Sequence, residues 1–248
     1  RFTEVDVGIV GDARVTAEAL TAALDELGIE RADEFWTEKV RRRVEEHDQF
    51  TDREFEDVPG TIDPRDLVRA LDDALPSDRF VVSDVGHFGN WVFDGFSLAP
   101  TDHLLWTVDF LSLGQALPMS IGAALAEDGR TTITVCGDGG LMMVLQELET
   151  AARNDVPLVV VVFNDEALGA EYHMAKMRGH SGTVGQIPAP DFANVAADLG
   201  ATGHTVRTVE DVEALTEELN PDRTGPVVLD CKVNPEVLHQ SMGNLSIE

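Results

Sequence analysis

The chain of 248 residues lacks the features that mark membrane, secreted and disulfide-rich proteins. Its longest nearly unbroken apolar run, residues 156–163, is far shorter than the about 20 residues of a membrane-spanning helix. The start, Arg1-Phe2-Thr3-Glu4, has neither the basic patch nor the apolar stretch of a signal peptide. The two cysteines, Cys136 and Cys231, are too few for a disulfide framework and lie in apolar runs. We therefore predict a protein of the reducing cytoplasm.

Positive charge is also scarce. The chain has 18 Lys and Arg residues against 46 Asp and Glu residues, which gives a net charge of −28. Only Lys39, Lys176 and Lys232 are lysines. Such a chain repels phosphate backbones, which disfavours nucleic-acid binding. The 43% of hydrophobic residues suffices for a sizeable core. An acidic, lysine-poor surface on a folded chain predicts a salt-loving source, and an ordinary acidic cytosolic protein is the alternative.

The chain is predicted to have three parts. Residues 1–30 contain a short strand at 5–10 and a helix at 15–27, which cannot form a core alone and indicate the remnant of a preceding domain. Residues 31–60 are dense in charge and are predicted to be a linker with a surface helix. Residues 61–248 form the third part, where strand and helix patterns alternate regularly.

In this third part the strands are apolar on both faces, which predicts an α/β fold, a parallel sheet with helices on both faces. Asp63-Pro64 is a favourable helix start. The predicted strands are 80–82, 132–136, 158–163, 204–207 and 227–233, and the predicted helices are 64–75, 113–125, 141–153, 192–199 and 209–219.

Glycines surround an aspartate where the second of these strands ends, in the run Gly137-Asp138-Gly139-Gly140. Ligands of parallel sheets bind beyond the carboxyl ends of the strands, and glycines let the backbone approach a ligand closely. The helix that follows presents free N–H groups, which suit a phosphate. Because the Asp138 carboxylate would repel that phosphate, the run predicts a phosphate bridged by a metal ion. An ordinary turn is the alternative.

A second carboxylate follows the next strand, in the run Phe163-Asn164-Asp165. Asp165 lies 27 residues after Asp138, a span that holds the one helix and one strand of a right-handed crossover. If the two strands are neighbours, their ends lie roughly 5 Å apart. Both carboxylates can then share one Mg²⁺, with waters and diphosphate oxygens as its other ligands. The alternative is that Asn164-Asp165 merely begins a helix.

These runs, together with the helix that contains Gln146-Glu147-Leu148, resemble the thiamine diphosphate signature of the acetolactate synthase and pyruvate decarboxylase superfamily. The resemblance extends over about residues 5–233 and is strongest over 80–169. It implies that Asp138, Asp165 and the backbone oxygen of Ala167 ligate Mg²⁺, although asparagine is commoner at the position of Asp165. It also implies that the cofactor contacts Gly137, Asp138, Gly139, Gly140, Asp165, Ala167, Leu168 and Gly169.

Two further segments resemble cofactor-binding loops of the superfamily. The run from Asp84 to Trp91 resembles the loop that touches the diphosphate and implies contacts from His87 and Phe88; for His87, a loop histidine without that role is the alternative. The run Phe110-Leu111-Ser112-Leu113-Gly114 resembles the segment that holds the cofactor bent. The resemblance implies that Leu113 props the two rings and that the Leu111 backbone meets the aminopyrimidine. Leu113 as the first core residue of a helix is the alternative.

Residues 170–190 resemble the superfamily's mobile cover over the substrate, without the tryptophan that acetolactate synthases commonly have there. Lining of the substrate pocket and ordinary packing both remain open for its Met, His and Tyr side chains, which are Tyr172, His173, Met174, Met177 and His180.

The resemblance implies an acetolactate synthase-like enzyme that uses thiamine diphosphate and Mg²⁺ to decarboxylate a 2-oxo acid and join the product to a second carbonyl compound. No catalytic residue is predicted in this chain, because the superfamily's activating glutamate lies on a separate pyrimidine-binding domain. The expected partners are a 2-oxo acid, that domain in the same enzyme or a second subunit, and further copies in a homodimer or homotetramer. The alternatives are a decarboxylase of the pyruvate or benzoylformate type and a non-catalytic cofactor-binding fragment or subunit.

Overall fold

The computed structural model describes residues 6–28, 37–42, 50, 52–98, 103–126, 129–219 and 224–243. The chain divides into two compact units, residues 1–48 and residues 49–248. No helix within the described residues is long and apolar enough to cross a membrane.

The first unit contains helix α1 (Ala13–Glu26), and residues 37–42 are also helical. The side chain of Asp12 caps α1 by accepting a hydrogen bond from the Val15 N–H at 3.0 Å. The strand predicted at 5–10 is wrong, because residues 6–10 form a bend and an irregular stretch, while Val5 lies outside the described residues. The described part of this unit contains no strand with which residues 6–10 could pair, and an unpaired strand leaves its backbone groups without partners.

The second unit contains one sheet and the remaining helices. Its strands are β1 (Arg79–Ser83), β2 (Leu104–Trp106), β3 (Thr131–Gly137), β4 (Leu158–Asn164), β5 (Thr202–Val206) and β6 (Val227–Lys232). Its α-helices are α2 (Pro64–Ala74), α3 (His87–Gly95), α4 (Ala116–Ala126), α5 (Asp138–Val144), α6 (Glu147–Arg153), α7 (Gly169–Met177), α8 (Phe192–Asp198), α9 (Val209–Glu213) and α10 (Gln240–Gly243), and a 3₁₀ helix spans Gly182–Gly185.

All neighbouring strands of the sheet are parallel, in the order β2-β1-β3-β4-β6-β5. β3 and β4 are neighbours, and their register pairs Gly137 with Phe163, so the two strand ends singled out in the sequence lie side by side. The chain turns back across the sheet between β1 and β3, and such a reversal leaves a crevice at the carboxyl ends of the strands.

The core lies on both faces of the sheet, as the alternation of strand residues requires. Val159 and Val161 belong to a buried cluster with Leu71 of α2 and Trp91 of α3. Val160 and Val162, on the opposite face, pack with residues of α4, α5, α6 and α8. The predicted α/β fold with helices on both faces is therefore confirmed.

Several predicted boundaries differ from the structure. The helix predicted at 113–125 begins only at Ala116, the one predicted at 141–153 begins at Asp138 and is interrupted at 145–146, and the one predicted at 209–219 continues beyond Glu213 as turns. Helices α3, α7 and α10 and strand β2 were not predicted. Phe50, within the predicted linker, is buried in the core of the second unit, and the division into a remnant, a linker and a binding domain stays a prediction.

Candidate cofactor and metal site

A cavity of about 560 Å³ opens beyond the carboxyl ends of β1, β3 and β4. Its position matches the crevice at the reversal between β1 and β3. Every residue predicted to contact a cofactor or metal lies on its wall: His87, Phe88, Leu111, Leu113, Gly137, Asp138, Gly139, Gly140, Asp165, Ala167, Leu168 and Gly169. The structure thus brings together residues that are up to 82 positions apart in the sequence.

Asp138 stands at the junction where β3 ends and α5 begins, and only 2% of it is exposed. Its Oδ1 accepts a hydrogen bond from the Gly139 N–H at 2.7 Å. Its buried Oδ2 has no hydrogen-bond partner among the described residues. Because burial disfavours the charged form, the pKa of Asp138 rises to about 7.

Asp165 begins the turn that connects β4 to α7, and its Oδ1 accepts a hydrogen bond from the Ala167 N–H at 3.1 Å. Glu166 has a positive φ of 54°, and its carbonyl accepts from the Ile187 N–H at 2.7 Å, which fixes the turn. Burial raises the pKa of Asp165 to about 8, and the negative charge of Asp138 adds to the rise. The two carboxylates therefore repel each other when both are ionised.

A divalent cation fits this pair. An unpartnered buried carboxylate oxygen is costly, and a cation between two carboxylates removes both the repulsion and the missing contact. No group of three or more His, Cys, Asp or Glu side chains able to hold a metal occurs in the described residues. Asp138 and Asp165 themselves offer only oxygen ligands, which suits Mg²⁺ with waters and phosphate oxygens rather than Zn²⁺.

His87 opens helix α3 on the cavity wall and is buried. Its Nε2 accepts a hydrogen bond from the backbone N–H of His239 at 3.0 Å, so the proton of the neutral ring lies on Nδ1. Burial, followed by the nearby His173, lowers the pKa of His87 to about 3 and keeps the ring neutral. Nδ1 faces the start of α7, since a Cβ built at Gly169 would lie 3.5 Å from it.

Phe88 has a different role from its neighbour. Its ring stacks on Phe163 with centroids 5.8 Å apart and lies 3.2 Å from where a Cβ at Gly137 would stand. The side chain thus packs beneath the glycine run and offers the cavity an apolar wall.

Of the five Met, His and Tyr side chains predicted in the cover, His173 lines the cavity. It is buried, its ring centroid lies 4.7 Å from that of His87, and its Nε2 has no hydrogen-bond partner within the described residues. Burial, followed by the charge of Lys176, lowers the pKa of His173 to about 4. The Tyr172 hydroxyl instead donates a hydrogen bond to Glu236, and Tyr172 does not belong to the described cavity wall.

The sequence did not reveal the wall formed by the segment after β6, which lines the cavity with Val233, Asn234, Pro235 and Val237. A contact just after this segment fixes its position: the His239 ring packs edge-on against Trp91, with the ring centroids 4.4 Å apart. Ala170 and Glu171 of α7 also line the cavity. This wall could have been predicted only from the knowledge that β6 lies beside β4 in the sheet, and no sequence pattern indicates that strand order.

Comparison with known proteins agrees with this geometry. Residues 84–231 match the protein family described as "Thiamine pyrophosphate enzyme, C-terminal TPP binding domain". The chain belongs to this family. Thiamine pyrophosphate (TPP) is another name for thiamine diphosphate. The matched region begins directly after β1, ends within β6 and contains the glycine run, Asp138 and Asp165.

The relatives of this TPP-binding domain differ in the activities their names state. Sulfoacetaldehyde acetyltransferase of Castellaniella defragrans is 25% identical, over 92% of this chain and 42% of the relative. The acetolactate synthase isozyme 1 large subunit of Escherichia coli is 28% identical, over 80% of this chain and 36% of the relative. The chain thus spans about two fifths of the length of these curated relatives.

A solved structure supports the fold. Benzoylformate decarboxylase from Polynucleobacter necessarius superposes with a TM-score of 0.66 over 76% of this chain and 36% of that chain, at 21% sequence identity. At this identity the likeness concerns the fold alone.

Proposed function

We propose that this TPP-binding domain belongs to an acetolactate synthase-like enzyme, which releases carbon dioxide from a 2-oxo acid and joins the remaining acyl unit to a second carbonyl compound. The names of an acetolactate synthase and an acetyltransferase among the relatives support this reaction class. When bound, TPP supplies the electron sink that such bond cleavage next to a carbonyl requires.

The cofactor site is inferred chiefly from one observation. The buried Oδ2 of Asp138 has no hydrogen-bond partner within the described residues, and the Asp165 carboxylate lies close enough to interact with its charge. Together with the carbonyl oxygen of Ala167, these carboxylates would hold Mg²⁺, which in turn would hold the diphosphate. The Gly137–Gly140 run would let the backbone approach the diphosphate closely. The Nδ1–H of His87, on the same cavity wall, would donate a hydrogen bond to the cofactor.

The ring end of TPP would lie against the segment that contains Leu111 and Leu113. Leu113 would support the bent arrangement of the two rings, and the backbone of Leu111 would meet the aminopyrimidine. Both residues line the same cavity as Asp138. The chain's own work is therefore to bind and orient the cofactor.

Activation of the cofactor would require a glutamate from a pyrimidine-binding domain, in the same enzyme or in a second subunit. Glu147 and Glu149 are near the metal loop in sequence, but they lie in α6 and do not line the cavity. We propose a homodimeric or homotetrameric enzyme of the cytoplasm, adapted to high salt, in which residues 1–30 belong to a preceding domain.

Calorimetric titration of TPP into the chain, with excess Mg²⁺ or with excess chelator, tests the cofactor site. We expect binding with Mg²⁺ and a large loss without it, because the two carboxylates repel the diphosphate. Asp138→Ala should remove most binding, and Asp12→Ala, which removes a carboxylate from the cap of α1, should not. Equal affinity in chelator would contradict the metal bridge.

The reaction class requires a separate experiment. The enzyme with its pyrimidine-binding domain is supplied with a panel of 2-oxo acids, and carbon dioxide and ligated products are both measured. Ligated product would support the synthase-like reaction, whereas carbon dioxide with only the matching aldehyde would replace it with simple decarboxylation.

A further inference from the structure

Asp84 is a buried carboxylate next to the cavity whose role the sequence did not reveal. It follows β1 directly, its backbone N–H donates to the Val135 carbonyl at 2.8 Å, and only 1% of the residue is exposed. It does not line the cavity. A carboxylate this deeply buried needs several hydrogen bonds to offset its loss of hydration, and the identity of the donors indicates what it holds.

The N–H of the neighbouring Val85 donates to Oδ1 at 3.0 Å. Two further donors come from both ends of the segment that contains Leu111 and Leu113. Oδ1 accepts from the Thr107 hydroxyl at 3.2 Å, where the segment begins, and Oδ2 accepts from the Gly114 N–H at 2.6 Å, where it ends. One carboxylate therefore closes residues 107–114 into a loop. Hydrogen bonds to an ionised acceptor are about twice as strong as neutral ones.

Two glycines make this contact possible. Gly114 has a φ of +81°, which other residues rarely adopt, and a Cβ there would lie 3.1 Å from the Gly140 carbonyl oxygen. A Cβ at Gly140 would lie 2.8 Å from Oδ2 of Asp84. The carboxylate thus occupies the space that Gly140 leaves open, whereas the missing side chain of Gly114 lets the segment approach the start of α5.

The segment needs such an anchor. Leu111 has a φ of +55°, a strained conformation for a residue with a side chain, and 65% of it is exposed. Packing of the Leu111 side chain therefore holds the backbone only weakly. The hydrogen bonds to Asp84 on either side supply the constraint that its own environment lacks.

We propose that Asp84 is a positioning residue, which sets the distance between the segment with Leu111 and Leu113 and the Gly137–Gly140 run. The inference rests on the proposed function, because these two parts of the wall are those assigned to the rings and to the diphosphate of TPP. Asp84 does not line the cavity, so it would touch neither end of the cofactor and would act through Gly114 and Thr107.

The first test needs no cofactor. Hydrogen–deuterium exchange of peptides spanning residues 107–115 is compared between the chain and its Asp84→Asn variant, in which one acceptor oxygen becomes an NH₂ group. We expect at least about tenfold faster exchange there, since the bond to a charged acceptor is lost. Gly140→Ala, which crowds Oδ2 without changing charge, should act in the same direction, and Thr107→Val more weakly.

Asp72→Asn is the matched control, because Asp72 also binds a backbone N–H, that of Ser97, and an arginine, Arg79, at the other end of the sheet. It should lower stability and leave exchange at 107–115 unchanged. Unchanged exchange in Asp84→Asn, or equally fast exchange in Asp72→Asn, would overturn the proposal. Should Asp84→Asn fail to fold, Thr107→Val and Gly140→Ala decide the same question.

The second test separates the two ends of the ligand. With saturating Mg²⁺, Asp84→Asn should bind TPP at least about tenfold more weakly, yet bind inorganic pyrophosphate as the unchanged chain does. Equal losses for both ligands would show a general collapse of the cavity and overturn the positioning role. If the unchanged chain bound neither ligand, the proposed function would fail, and the exchange data would decide alone whether Asp84 anchors the segment.

Discussion

Replacement of Asp138 by asparagine is expected to stabilise the metal-free chain and to abolish its binding of Mg²⁺ with TPP. The carboxylate is buried, its Oδ2 has no partner in the described residues, and Asp165 adds a second negative charge nearby. Asparagine keeps an oxygen for the Gly139 N–H and removes the charge. A residue that serves a ligand rather than the fold should show this opposition between stability and binding.

The magnitude of the stabilisation follows from the pKa of Asp138, which burial raises from 3.8 to about 7. A difference of about 3 units, at about 1.4 kcal/mol each, makes the ionised form cost about 4 kcal/mol of folding free energy. The buried amide that replaces it costs about 1–3 kcal/mol. The net gain is about 2 kcal/mol at pH 8, or roughly 4–8 °C in melting temperature for a chain of this size.

The pH dependence has a definite sign. The folded carboxyl binds its proton more tightly than the unfolded one, so the stability of the unchanged chain falls as pH rises from about 4 to about 7. Asp138→Asn lacks this loss. Its advantage should therefore be full above about pH 7 and disappear towards pH 4.

Thermal melts in chelator at several pH values, followed by melts at pH 8 with Mg²⁺ and TPP, measure both effects. The ligands should raise the melting temperature of the unchanged chain and leave the variant unaffected. Asp63→Asn, which keeps a capping oxygen for α2 but removes the charge that pairs with Arg65, is a control that should lose stability at pH 8. A fall of several degrees for Asp138→Asn in chelator would refute the reasoning and make Asp138 a structural residue.

Three further predictions concern the whole chain and its metal loop. Between 0.1 and 1 M KCl the melting temperature should rise, since the Debye length falls from about 10 to about 3 Å and the chain carries a net charge of −28; a flat or falling value would contradict adaptation to salt. Asp230→Asn should weaken Mg²⁺ binding about tenfold in a metal titration, because the buried Asp230 holds the amide of Asn164 at 2.8 Å, directly before Asp165; unchanged affinity would limit Asp230 to the fold. The purified chain with saturating TPP and Mg²⁺ should release no appreciable carbon dioxide from pyruvate, whereas turnover abolished by Glu147→Gln would place the base in this chain.

The parallel sheet could be predicted because its central strands bury both faces and are therefore continuously apolar. Each of the five predicted strands of the second unit is present, with ends shifted by at most two residues. β2 escaped prediction because it has three residues at the sheet edge. Helix α3 escaped because two glycines and several aromatic residues obscure its helical period, and Gly86 before it makes no side-chain cap.

The two strand ends of the site could be predicted from chain order, since one crossover places neighbouring parallel strands side by side. The helix start predicted at 113 was wrong because apolar spacing continues through Leu113, while the Gly114 N–H donates to Asp84 and not to a helical carbonyl. The wall after β6 could not be predicted because the sheet order places β6 beside β4 and ahead of β5. Contacts set by strand order leave no local pattern in the sequence.

The acidic residues of the chain cause two separate repulsions. Carboxylates at the surface repel one another, and carboxylates in the cavity repel a bound diphosphate. The described cavity wall contains Asp138, Asp165 and Glu171 but no lysine or arginine, so no side-chain cation there can attract a diphosphate. Monovalent salt screens exposed carboxylates, whereas buried charges are screened much less. KCl should therefore stabilise the chain without enabling it to bind TPP in chelator, and only a divalent cation should do both. If molar KCl alone allowed TPP to bind, the repulsion would lie at the surface, and the carboxylates of Asp138 and Asp165 would not need to share a metal ion.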